Sequence, residues 1–310
     1  MPSAKACEWP TLALIAATSA AWMLLVGFYD YPGLPDALGW AVCPLAAVLV
    51  TLQSSLQHEV LHGHPTRSPA LNEALIYCPL GLFIPYRRFK SLHLRHHNND
   101  RLTDPYDDPE SFYLAWRDWR KLPRGIRLVL TINNTLLGRL LIGPAVSLVG
   151  FYGSEIRKLL AGDRAVLRAW AHHLAGLVPV VLFVTVIGGM PIWLYAACIA
   201  YPAMSLLMLR TYAEHRAHEN AEARSVVVEF CPVFSLLFLN NNLHVVHHAH
   251  PRAPWYRLPG IYRAARDEWQ RRNEGYVFAS YFDLARRYLF KVKEPVPHPL
   301  RRRNSDGAAS

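Results

Sequence analysis

The sequence predicts an all-α integral-membrane fold: four transmembrane helices, paired as two hairpins, with a helical cytoplasmic cap. Three observations lead there. Of 310 residues, 52% are hydrophobic and only 18% are charged, an apolar balance for a soluble domain. Four stretches come close to the ~20 apolar residues that cross a bilayer as a helix; they are Thr11 to Phe28, Ala37 to Leu56, Ala169 to Ile187 and Ile192 to Leu209. Lys and Arg crowd the segments Arg67 to Arg127 and Arg157 to Arg168, and are missing from the links Tyr29 to Asp36 and Gly188 to Pro191. Because basic residues mark the cytoplasmic side of short loops, both termini and the middle segment are expected there, with the two hairpins dipping outward.

The remaining stretches are assigned by what interrupts them. Leu128 to Phe151 is long enough to span, but it carries Asn133, Asn134 and Arg139, and counting it would put a basic flank on the wrong side. It is read as interfacial or partly buried. Val226 to Leu239 is broken by Glu229 and Pro232 and is expected along the membrane surface. The first apolar run resembles a signal peptide only superficially, since a second span follows after a short turn. A single membrane-embedded domain is expected over residues 1–293, followed by a disordered tail at 294–310, rich in Pro, Arg and small residues.

The net charge is +10, yet the basic residues form no reading motif, so a nucleic-acid partner is not expected. Cysteines 7, 43, 78, 198 and 231 include no C-x-x-C pair, which argues against thiolate zinc or iron–sulfur sites and against a disulfide framework.

Most of the 15 histidines fall into three groups just beyond apolar segments: His58-Glu-Val-Leu-His62, with His64 close by; His93-Leu-Arg-His96-His97; and His244-Val-Val-His247-His248, with His250 after it. Residues three and four apart share a helix face, so each group can aim its imidazoles at one point. At this histidine frequency one H-x-x-H-H would arise by chance in roughly three of a hundred such chains, and two in fewer than about one in a thousand. His172, His173 and His298 lie outside these groups and are read as ordinary interfacial or satisfied side chains. Imidazole suits several metals, but eight or more of them oversupply one four-coordinate zinc. Two redox irons match the number, and they supply chemistry on unactivated C–H bonds that side chains lack.

These boxes resemble those of the membrane fatty-acyl desaturases and their relatives the alkane hydroxylases, sphingolipid desaturases and carotenoid ketolases, whose pattern is H-x-x-x-(x)-H followed by two H-x-x-(x)-H-H. The resemblance runs from His58 to His248. It implies a di-iron site in the cap with His58, His62, His93, His96, His97, His244, His247 and His248 as ligands. It also implies a further histidine after the last span, for which His215 is the best match and His218 the fallback. Thr211 stands one turn before His215, where some acyl desaturases carry a water-holding Asn. O2 would be the co-substrate and a lipid or fatty-acyl chain the substrate. Electrons would come from a separate ferredoxin, rubredoxin or cytochrome-type donor docking on the basic cap. Within the family, hydroxylation or ketone formation is the alternative to desaturation.

Metal-bound histidines usually donate their second N–H to a carboxylate or carbonyl, which makes Glu59, Asp104, Asp107, Asp108 and Glu214 supporting candidates, along with Asn240, Asn241 and Asn242. Arg87, Arg88, Lys90 and Arg95 are read chiefly as following the positive-inside bias, with a lipid phosphate as the second possibility. The first box also spells H-E-x-x-H, so a membrane zinc metalloprotease is the rival from another class. That reading leaves the other two boxes without a role.

Overall fold

The computed structural model describes residues 7–30 and 36–300, with backbone alone for residues 36–38. Most of the first hairpin turn and the last ten residues of the expected tail lie outside the described residues.

Helix α1 (Trp9–Gly27) has Pro10 in its first turn, where the missing N–H costs nothing. Helix α2 (Asp36–Leu61) has 26 residues and is about 39 Å long at the α-helical rise, so one rod carries both an apolar stretch and the first histidine box. The short helices α3 (Pro69–Leu75) and α4 (Tyr86–His97) follow, and α4 carries the second box. Next come α5 (Trp116–Lys121), α6 (Arg124–Asn133) and α7 (Leu136–Leu160). Two long helices, α8 (Arg164–Ile187) and α9 (Ile192–Glu214), complete the apolar set. The Asp163 carboxylate caps α8 by accepting from the N–H groups of Ala165 and Val166.

Among the described residues, five helices are long and apolar enough to cross a membrane: α1, Gly39–Leu61 of α2, α7, α8 and α9. The additional one comes from the stretch expected to be a single interfacial element, which the structure divides at Asn134. Of the polar groups that argued against a span, Arg139 and Asn134 are paired internally, whereas the buried Asn133 Oδ1 has no hydrogen-bond partner. Arg139 folds back so that its Nε donates to the Asn133 carbonyl and its Nη2 to Asn134 Oδ1, both at 3.1 Å. Gly138 is required at this break, because a Cβ there would lie 1.9 Å from the Ile132 carbonyl oxygen. Outward-facing apolar side chains such as Val149, Leu160, Val186 and Trp193 are mostly exposed, which suits a multi-pass membrane protein whose flanks face lipid.

The connection from Ile76 to Pro85 fixes the start of α4 and is held from three sides. The Tyr195 hydroxyl donates to the Leu80 carbonyl at 3.0 Å and accepts from Trp22 Nε1 at 2.9 Å, linking α9 and α1 to it. Tyr152 of α7 bonds the Phe83 carbonyl at 2.9 Å, and His173 Nε2 of α8 bonds the Leu82 carbonyl at 2.8 Å. Arg88 at the base of α4 makes a two-pronged ion pair with buried Glu155 of α7, at 2.7 and 2.8 Å, and Trp170 Nε1 adds a bond at 3.1 Å. Arg87 pairs with Glu73 at 2.6 Å. Both arginines therefore serve ion pairs within the chain.

Beyond α9 the chain forms the cap. Val227–Val228 pairs in parallel with Val277–Phe278, and these residues sit in the interior, apart from the half-buried Val277. The run expected along the membrane surface is therefore divided: its start is a buried strand, and its exposed apolar groups are Phe230 and, on the helix Pro232–Leu237, Val233 and Leu236. Leu52, Leu56 and Val60 of α2 share one apolar cluster with Val228, Phe238, Phe278 and Leu284 of the cap. Residues 294–300, the first part of the tail expected from Glu294, are packed. Leu114 and Pro297 pair as a bridge, Leu114 N–H donates to the Val296 carbonyl and His298 N–H to that of Leu114, both at 2.9 Å. A proline-rich composition suits such an extended edge as well as it suits disorder.

Replacing Glu155 by Ala is expected to cost about 3–5 kcal/mol, since it strands Arg88 without its partner. Thermal unfolding of the detergent-solubilised variant, compared with wild type, measures this, and an unchanged midpoint would contradict it.

Candidate metal centre

Each box is delivered by a different kind of local structure. His58 lies in the last turn of α2, and His62 follows where the helix ends, in a turn that Gly63 permits with φ of 98°. His93, His96 and His97 lie on one face of α4, and His244, His247 and His248 on the short helix His244–Ala249. His215 terminates α9 in extended conformation and pairs with Ser225 as a bridge.

The three boxes converge as two adjoining groups. His58, His62, His93, His97 and His247 offer ring nitrogens that all lie within 4.8 Å of one another, and so do His96, His215, His244 and His248. The groups touch: the rings of His97 and His248 stack at 4.3 Å, and those of His93 and His96 are 5.7 Å apart. All nine expected ligands are thus brought together. His218 and His250 are not, for His218 faces Glu274 at 3.4 Å and the His250 ring lies against Trp269. Thr211, which stands where some acyl desaturases carry a water-holding Asn, bonds the Met208 carbonyl at 3.5 Å.

The donor chemistry fits cations. His96 Nδ1 donates to Asp108 Oδ1 at 2.8 Å, and His244 Nδ1 to Asn241 Oδ1 at 3.1 Å, which leaves each Nε2 as a bare lone pair. Those Nε2 atoms lie 3.1 and 3.0 Å from His215 Nε2, while the Nε2 atoms of His248 and His244 are 3.1 Å apart. Facing lone pairs repel unless a positive centre sits between them, and ligands about 2.1 Å from one ion at right angles are about 3.0 Å apart. In the other group, His93 Nδ1 bonds Glu110 at 2.9 Å, and buried Nε2 atoms of His58, His62 and His93 have no hydrogen-bond partner. A bound metal supplies what these atoms lack.

Burial and the neighbouring imidazoles hold the proton affinity of these rings down, His62 to about 2 and His97 to about 3. His215, His244, His247 and His248 are pushed well below the ordinary value for the same reasons. His96 goes the other way: burial opposes a proton there, but the bond to Asp108 and the charges of Glu110, Asp108 and Glu214 together outweigh it. The carboxylate that favours a proton on this ring favours a metal cation equally.

Of the supporting groups expected from sequence, Asp108 meets His96, and Glu214 lies 3.6 Å from His244 Nδ1. Asp107 pairs with Arg101, and Asp104 accepts from the Tyr106 and Asp107 N–H groups. Two partners of the centre were not singled out individually, namely Glu110 on His93 and Arg210 on Glu214, at 2.9 Å each. Arg210 went unnoticed because it lies just past the expected end of the last span. The protease alternative loses its base: Glu59 accepts from the Trp255 N–H at 3.0 Å, outside both histidine groups.

Apolar helices long enough to span, capped by two adjoining groups of buried imidazoles, define a membrane-type histidine-box oxidoreductase. The sequence matches the fatty acid desaturase family over residues 35–280, most of the chain, and the protein belongs to that family. No curated protein matches it.

Two outcomes test the centre. Asp108→Asn is expected to weaken metal binding about 10–100-fold, as read by chelator competition. The metal-free protein should lose stability in acid. A ring whose folded-state affinity is lowered from 6.5 to about 2 or 3 binds its proton in the unfolded chain first, so its contribution is complete above about pH 6.5 and lost as pH falls below that. A thermal midpoint of the stripped protein that stayed constant from about pH 7 to pH 5 would contradict the assignment.

Proposed function

We propose that the protein is an O2-dependent acyl-lipid desaturase. One iron would be held by His58, His62, His93, His97 and His247, and the other by His96, His215, His244 and His248. The observation that carries this reading is the meeting of all three boxes in two adjoining groups of bare imidazole nitrogens, in a chain of the desaturase family. Two irons held there supply dioxygen activation and an oxidant strong enough for an unactivated C–H bond.

The side chains do the rest by holding and positioning. Glu110, Asp108 and Asn241 fix the Nδ1 atoms of His93, His96 and His244, so that the opposite nitrogens stay aimed and unprotonated. Burial of the ligand rings limits water at the reacting centre. The substrate is a lipid or fatty-acyl chain entering from the bilayer. Two electrons from a separate carrier and two protons balance the removal of two hydrogens from neighbouring carbons, with dioxygen reduced to water. With four crossings and α7 interfacial, the positive-inside bias would put both termini and the boxes on the cytoplasmic side, where an acidic ferredoxin, or a rubredoxin or cytochrome, would meet a basic surface.

Lipids extracted from cells expressing the protein should contain chains two hydrogens lighter, and purified protein about two irons per chain. His247→Ala should leave the protein in the membrane fraction with no detectable product. A hydroxylated or ketone product would move the assignment to another reaction of the same superfamily.

A further inference from the structure

A second place in the molecule repeats the signature of the ligand histidines. Among the described residues, five histidines have a buried ring nitrogen without a hydrogen-bond partner; four belong to the five-histidine group, and the fifth is His64. Its side chain is fully buried, and its Nδ1 donates to Glu8 Oε2 at 2.7 Å. That bond leaves Nε2 as a bare lone pair, as the Glu110 and Asp108 bonds do at His93 and His96. Opposite it stands the buried carboxylate of Glu59, with Oε1 at 3.9 Å. The gap is too wide for a hydrogen bond, yet two ligands each about 2.1 Å from an ion span up to about 4.2 Å.

We infer that His64 Nε2 and Glu59 bind a single divalent cation, oriented by Glu8 and separate from the nine-histidine centre. An imidazole nitrogen beside carboxylate oxygen selects zinc or a similar transition ion over magnesium or calcium. The surroundings assign it a structural task. Glu8 N–H donates to the Pro65 carbonyl at 3.0 Å, and Glu59 holds the Trp255 N–H. A cation here would staple together the start of α1, the first box and the loop that follows the third. The inference does not depend on which metals the histidine groups hold or on the reaction they run.

The test uses the full-length, iron-loaded protein in detergent, incubated with Zn2+ and freed of loose metal. Wild type should retain one more metal ion per chain than His64→Gln, and three in total; equal retention in the two proteins, or saturation of wild type at two, overturns the site. What His64→Gln still holds is scored separately: two ions there leave the dinuclear reading standing even if the third site fails. Should His64→Gln not be recovered folded, zinc-edge X-ray absorption of wild type decides alone. One imidazole among oxygen ligands supports the site, whereas an imidazole-only zinc, or no retained zinc, means that His64 is bridged to the two carboxylates by a proton.

Discussion

The structure turns on the mutual repulsion of imidazole lone pairs gathered in a buried space. Nitrogen atoms about 3 Å apart, with the protons of His96 and His244 held on the far side of their rings, are not a stable arrangement by themselves. Only positive charge between them makes it one. The fold spends buried ion pairs, backbone turns and a central helix on holding these atoms together, and this makes the cation the partner around which the rest is arranged.

Bringing the rings together is a problem of leverage. The first box rides the end of a long helix packed between α1 and α9, so its position is set by the apolar bundle. The second sits on a short helix that the bundle could not hold through α4 alone. Its base is fixed by the connection Ile76 to Pro85, tied to three of the long helices, and by Arg88 on Glu155. The third box is placed by the cap, where the parallel pair Val227–Val228 with Val277–Phe278 draws the chain back over α2. Bundle and cap meet at the metal centre, and His215 marks the junction.

Several polar residues that look out of place in an apolar chain are answered by a neighbour. Arg139 closes the break between α6 and α7, and Arg210 meets Glu214 beside the third box. Glu59 lies between two ligand positions in sequence but faces Trp255 and His64. A helix turns about 100° per residue, so the neighbour of a ligand points elsewhere and serves a different structure.

Much of this was legible in the sequence. The four apolar runs and the three boxes are local patterns, and helical spacing alone says that each box can present its rings on one face. His215 stood out through its place after the last span. What remained hidden depended on partners distant in the chain. Asn134 and Arg139 count against a span only if unpaired, and they find their partners in the fold. Glu294 to Leu300 read as a loose tail until residues near Leu114 were there to pair with it. Glu110 stood in an acidic turn where several carboxylates were equivalent by sequence, and only packing chose it for His93 and Asp108 for His96. The sequence alone determined which chemical groups exist and which neighbours share a helix face, because both follow from residue type and the period of the helix. Tertiary structure decided which rings share a cation and which carboxylate steadies each of them, because those are distances between segments that the chain order leaves free.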